Sequence, residues 1–143
     1  VTQPDIVFLT ETWLTNKIPS SLIIGSLPYT VVRYDRSSRG GGVCIILRDY
    51  LSFSTVSLPS SEHEITCIDL FLSSAYLRLC LVYRPPSYSL PKTDSLISCL
   101  SDIHASSPHP IIITERRVIG DLCMTHMIMT GSTIIPRSFF YTY

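Results

Sequence analysis

The sequence predicts an α+β or layered α/β domain. Short apolar runs rich in β-branched residues recur along the chain, bounded by Gly, Pro and Ser turns, which is the pattern of buried strands. One convincing amphipathic helix stands among them, and a further apolar run follows it, the order expected when strands and helices pack in layers. The chain has 143 residues, which suggests one domain with a sizeable core.

The first strand is Ile6 to Leu9, leading into Thr10, Glu11, Thr12 and Trp13. Burying a carboxylate without a partner is expensive. Glu11 is therefore expected at the strand's end, either turned to solvent or placed at a cleft or on a cation. Thr15 to Ser21 carries turn residues, and Leu22 to Leu27 reads as a short apolar segment under a loop. After Pro28, the run from Tyr29 reads as a strand with Tyr29, Val31 and Arg33 on one face and Thr30, Val32 and Tyr34 on the other.

Gly40, Gly41 and Gly42 then open Val43 to Arg48, an apolar β-branched run that reads as a central strand. A glycine loop cradles phosphate when it opens a helix. This one opens a strand, so it reads as strand-entry geometry, with Arg36 and Arg39 beside it as phosphate contacts. A strand is expected over Tyr50 to Leu58. Glu64 to Leu72 and Ala75 to Arg84 form a hairpin candidate around Ser73 and Ser74, closed at Pro85 and Pro86.

Ser87 to Lys92 reads as a loop. The helix covers Thr93 to Ala105, with Leu96, Ile97, Leu100 and Ile103 at helical spacing and Thr93 or Asp94 as cap. Ile111 to Thr114 is a further buried strand. From Glu115 onward no period is evident; the segment holds all three methionines and suits neither a helix nor a clean hairpin. The expected division is therefore 1–114 as the domain and 115–143 as an aberrant or poorly ordered tail.

The formal net charge is zero, which removes a global basic footprint for nucleic acid but leaves a local basic cleft possible. None of the five cysteines forms a C-x-x-C pair and most lie in apolar runs, so buried free thiols in a reducing compartment are expected, and no zinc site. No apolar run approaches the ~20 residues of a membrane span, so no membrane partner is expected. The chain opens with Val1 and no basic n-region, so it reads as a piece of a longer protein that is not secreted. The four histidines read as ordinary surface or packed residues, and no G-x-S-x-G elbow is present. What remains are polar residues at strand exits, where layered sheets form ligand sites: Glu11, Tyr83 with Arg84, and whatever follows Ile113.

PDIVFLTETWL, RGGGVCIILRDYL, LRLCLVYRPPS and then a helix with PIIIT follow one another over roughly 1–114. In this order they resemble the endonuclease/exonuclease/phosphatase superfamily, and within it the apurinic-like endonuclease domain of non-LTR (LINE-type) retrotransposons. The resemblance implies a deoxyribonuclease-I-like sandwich of two mixed sheets flanked by helices, here incomplete, with a cleft at one rim. It implies Mg²⁺-dependent (or Mn²⁺-dependent) hydrolysis of a DNA phosphodiester, nicking target DNA in the nucleus for a downstream reverse transcriptase of the parent protein. It makes Glu11 the metal ligand and a catalytic residue, Tyr83 the residue that orients the phosphate, and Arg39 and Arg84 substrate contacts.

The family's G-D-F-N block is replaced by Thr114-Glu115-Arg116-Arg117, and Asp121 in Gly120-Asp121-Leu122-Cys123 is the displaced candidate for its catalytic Asp. The family's Asn before E-T-W and its closing S-D-H block are absent. The isolated chain is accordingly expected to lack nuclease activity. The alternatives are a phosphoinositide-type phosphatase of the same fold and a degenerate fragment without function.

Overall fold

The computed structural model describes residues 3–59, 62–119 and 122–130, with side chains described through Glu115. Two sheets pack face to face. The first is antiparallel and holds β1 (Ile6–Thr10), β3 (Val43–Arg48) and β2 (Tyr29–Tyr34), in that spatial order. The second runs β4 (Ser52–Thr55), β5 (Glu64–Phe71), β6 (Tyr76–Arg84), β7 (Ile111–Ile119) and β8 (Leu122–Thr130). It is mixed, because β6 and β7 are parallel and are joined through helix α2 (Leu90–Ala105). The expected central strand, β3, is central, and the expected hairpin, β5–β6, forms.

Strand alternation divides the core in two. Val43, Ile45 and Leu47 of the first sheet meet Ile68, Leu70, Leu79 and Leu81 of the second. On the opposite face of the second sheet, Ile65, Val82, Ile111 and Ile113 meet Leu96, Leu100 and Ile103 of α2. The four apolar positions at helical spacing in α2 are all buried, as their period implies.

Several local expectations are corrected. Leu22 to Leu27 does not lie under a loop: Ser21–Ile24 form a one-turn helix, α1, with no buried residue, and Leu22 is 74% exposed. The strand expected over Tyr50 to Leu58 shrinks to β4. Helix α2 starts before Thr93, because Ser89 caps it by accepting from the Lys92 amide at 3.4 Å and Pro91 fits the first turn.

The cysteines are not all free thiols. The β5–β6 register sets Cys67 opposite Cys80, with Cα atoms 4.3 Å apart, and a disulfide joins them on the α2 side. Cys44 remains a buried thiol, and burial pushes its pKa up to about 11, so it is a poor nucleophile. The segment after Thr114 also departs from expectation, since β7 continues to Ile119 and pairs with β8 as a regular antiparallel hairpin. Ladder pairing supplies backbone partners even where no side-chain period marks a strand.

Polar groups tie α2 to the sheet. His63 is buried, its Nδ1 3.1 Å from the Tyr88 hydroxyl and its Nε2 3.0 Å from Ser95 Oγ. Burial lowers the His63 pKa and raises that of Tyr88 to about 12, so both stay neutral at pH 7. Arg78 grips Asp69, its partner in the β5–β6 register, through Nε at 2.7 Å and Nη2 at 2.9 Å, and also donates to the Ile103 carbonyl.

Two predictions follow from this packing. Leu81→Ala, in the core between the sheets, should lower the unfolding free energy by about 2–5 kcal/mol in urea titrations, against under about 0.5 kcal/mol for the exposed Leu22→Ala. The second concerns acid. The Arg78 hydrogen bond holds the Asp69 carboxyl below its usual value, so the pair stabilises the fold above the unfolded pKa of about 4 and loses that contribution as pH falls through the folded value. Asp69→Asn should therefore be less stable than the parent at pH 7, with the gap narrowing as urea titrations are taken below about pH 4.

Candidate active site

The site lies at the rim of the sandwich, where β1 ends. Beyond Thr10 the backbone is left-handed at two non-glycine residues, Glu11 and Trp13, each with φ of 56°. That conformation costs about 1–2 kcal/mol per residue and persists only where the surroundings impose it. Here the glycine loop imposes it. The Trp13 amide donates to the Gly41 carbonyl at 2.9 Å, and the Thr12 amide donates to the Gly42 carbonyl at 3.4 Å.

The loop must be glycine for two reasons. Gly41 and Gly42 have φ of 72° and 90° and are buried. A Cβ on Gly41 would meet the Glu64 carboxylate at 2.5–2.9 Å, and one on Gly42 would meet Thr12 Oγ1 at 2.6 Å. Glu64 itself is buried at the start of β5, accepts from the Gly42 amide and pairs with Arg36 at 3.4 Å. A buried carboxylate thus acquires an amide donor and a counter-charge.

In the β5–β6 register Glu64 lies directly opposite Tyr83. Tyr83 is buried, and its hydroxyl donates to Glu11 Oε1. The other carboxylate oxygen, Oε2, accepts from Trp13 Nε1 at 3.1 Å. Trp13 is 54% exposed, and the Arg39 guanidinium lies 5.6 Å from its ring centroid. The expected residues Glu11, Tyr83 and Arg39 are therefore brought into one constellation, although they come from two sheets and a loop.

Arg84 is not brought there. Alternation along β6 turns it to the α2 face, away from Tyr83, where it donates through Nε to Glu115 at 3.0 Å. Glu115, the residue that stands just after Thr114, is fully buried in that pair. Asp121 lies outside the described residues. Sequence reasoning missed Glu64, yet a signal existed: counting back from the Ser73–Ser74 turn pairs Glu64 with Tyr83.

Among the described residues no group of three or more His, Cys, Asp or Glu side chains forms a closed cation site. The half-buried Glu11 carboxylate offers hard oxygen donors just beyond the end of β1. That donor chemistry fits a hydrated Mg²⁺, which keeps several waters and takes its remaining ligands from one or two carboxylates and a phosphate.

No family model matches the chain, and there is no significant match among curated proteins. Solved structures do match. TDP2 of D. rerio, complexed with a single-strand DNA product, is 19% identical with a TM-score of 0.54, over 78% of this chain and 47% of that one. The 3′ phosphatase NExo from Neisseria, bound to a product DNA hairpin, is 19% identical with a TM-score of 0.52, over 79% and 47%. The human Nocturnin catalytic domain, with a bound sulfate anion, is 13% identical with a TM-score of 0.51, over 78% and 50%. The chain shares the deoxyribonuclease-I-like fold of these structures. It spans about half the length of the solved structures it matches.

The loop argument predicts an asymmetry between glycines. Gly25 also has positive φ, at 59°, but a Cβ there meets nothing within 4 Å. Gly25→Ala should cost only the backbone strain of its sparsely populated conformation, about 1–3 kcal/mol, whereas Gly41→Ala must also displace the Glu64 carboxylate and should cost more. Paired urea titrations of the two variants measure the difference.

Proposed function

We propose that this chain carries the Glu11–Tyr83 half of a Mg²⁺-dependent phosphodiesterase site acting on DNA, of the LINE-type endonuclease kind, and that by itself it binds DNA without cleaving it. The observation that carries the reading is the meeting of the Tyr83 hydroxyl with the Glu11 carboxylate across 72 residues of sequence. The DNA products bound to TDP2 and NExo support DNA as the partner. The E-T-W, R-G-G-G and Y-R-P-P blocks support a retrotransposon parent, with a downstream reverse transcriptase and work in the nucleus.

In this reading Glu11 would hold Mg²⁺, with Mn²⁺ as a substitute. When bound, such an ion supplies Lewis-acid stabilisation of charge on the phosphate and the leaving oxygen. Tyr83 donates its single O–H to Glu11 in the structure; with an ion on Glu11 it would turn that O–H to a phosphate oxygen, and its buried ring keeps the hydroxyl in place. Arg39 supplies positive charge beside it. The expected lack of turnover is supported by the residue after Thr114. The carboxylate after Thr114 is committed to Arg84 on the opposite face, so it cannot serve the Glu11 site.

The test pairs binding with cleavage. The chain should bind a short DNA duplex or single strand with an affinity that falls steeply as salt rises, and it should leave supercoiled plasmid intact in Mg²⁺ or Mn²⁺. Metal-dependent nicking that disappears in Glu11→Ala would overturn the inactivity. Failure to bind DNA, with release of phosphate from a phosphoinositide instead, would replace this reading with the phosphatase one.

A further inference from the structure

Trp13 is a large aromatic left more than half exposed beside the site, and the structure invests heavily in holding it there. Its backbone is left-handed, its amide is bonded to Gly41, and its indole N–H is bonded to Glu11. Gly40 runs alongside the ring, where a Cβ would lie 3.9 Å from it. An exposed tryptophan has no core-packing reason to be fixed by three separate constraints. Arg39 approaches the same ring, so a flat π-surface and a cation stand together next to the Glu11–Tyr83 pair.

Flat aromatic surfaces beside a cationic contact are the means by which proteins hold unpaired nucleic acid strands, with each stacked base worth about 1–3 kcal/mol. We propose that Trp13 is a stacking platform for one unpaired nucleobase of a DNA strand, next to the phosphate that Glu11 and Tyr83 address, with Arg39 contacting the flanking backbone. The inference rests on the reading of the site as one for DNA phosphodiesters, and it adds a base-contacting residue to it. The indole N–H holds Glu11 while the ring is offered to the base, so one side chain aligns the carboxylate with the nucleotide being held.

The chain has a single tryptophan, so its intrinsic fluorescence reports on this ring alone. A short single-stranded deoxyoligonucleotide should quench that fluorescence. An oligonucleotide of the same length with abasic sugars should quench it far less and bind on the order of tenfold more weakly, as loss of one stacked base implies. In anisotropy with labelled oligonucleotides, Trp13→Ala should lose the preference for the base-bearing strand. Trp13→Phe keeps an aromatic face without the N–H and should retain most of that preference. Circular dichroism should show both variants folded, since the ring lies outside the core. Equal quenching and equal affinity for the intact and abasic strands would overturn the platform and leave the DNA reading standing. Binding of neither strand would overturn the DNA reading itself.

Discussion

Successive side chains of a strand leave on opposite faces of its sheet, and β6 is packed on both. Leu79, Leu81 and Tyr83 enter the core between the two sheets, while Arg78, Cys80, Val82 and Arg84 face α2. A slip of one residue would put Tyr83 against the helix and send Arg84 into the apolar space between the sheets, so the register is held from both sides. The Asp69–Arg78 pair adds a charged check on the same register, because these two residues are directly opposite one another. Everything at the rim inherits this setting. Tyr83 reaches Glu11 because β6 cannot move, and Arg84 is excluded from the same place for the same reason.

The rim is held by a second constraint, at the glycine loop. Glu64 would be a costly buried charge on its own. It is accommodated by the Gly42 amide and Arg36, and this draws the loop down onto β5. The loop carbonyls then take the amides of Thr12 and Trp13 and hold the end of β1 in its left-handed path. Glu11 and Trp13 are thus positioned through Glu64, a residue that need touch no substrate. The chain of support runs from the β5–β6 hairpin through a carboxylate and two glycines to the Glu11 carboxylate.

Much of the architecture was legible in the residues. Val43 to Arg48 reads as a central strand because it is apolar on both faces, and it is buried at Val43, Cys44, Ile45 and Leu47. The spacing of Leu96, Ile97, Leu100 and Ile103 announces the buried face of α2. Less legible were features that depend on pairing. The cysteines lack a recognisable spacing, yet the hairpin brings two of them opposite each other. The β7–β8 hairpin forms where no period signals it, because its strands extend an existing sheet and take their hydrogen bonds from that edge.

The candidate site divides along the same line. The sequence by itself determined that a carboxylate ends the first strand, that glycines open the third, and that a tyrosine and an arginine stand at the exit of β6. These follow from local periodicity, turn chemistry and the order of the four blocks. Only the tertiary structure decided which of them meet. Adjacent residues on a strand point apart, whereas residues 72 apart on two sheets share a hydrogen bond. Arg84, next to Tyr83 in the chain, belongs to the helix face, and Trp13 is held more than half exposed by the backbone that positions Glu11.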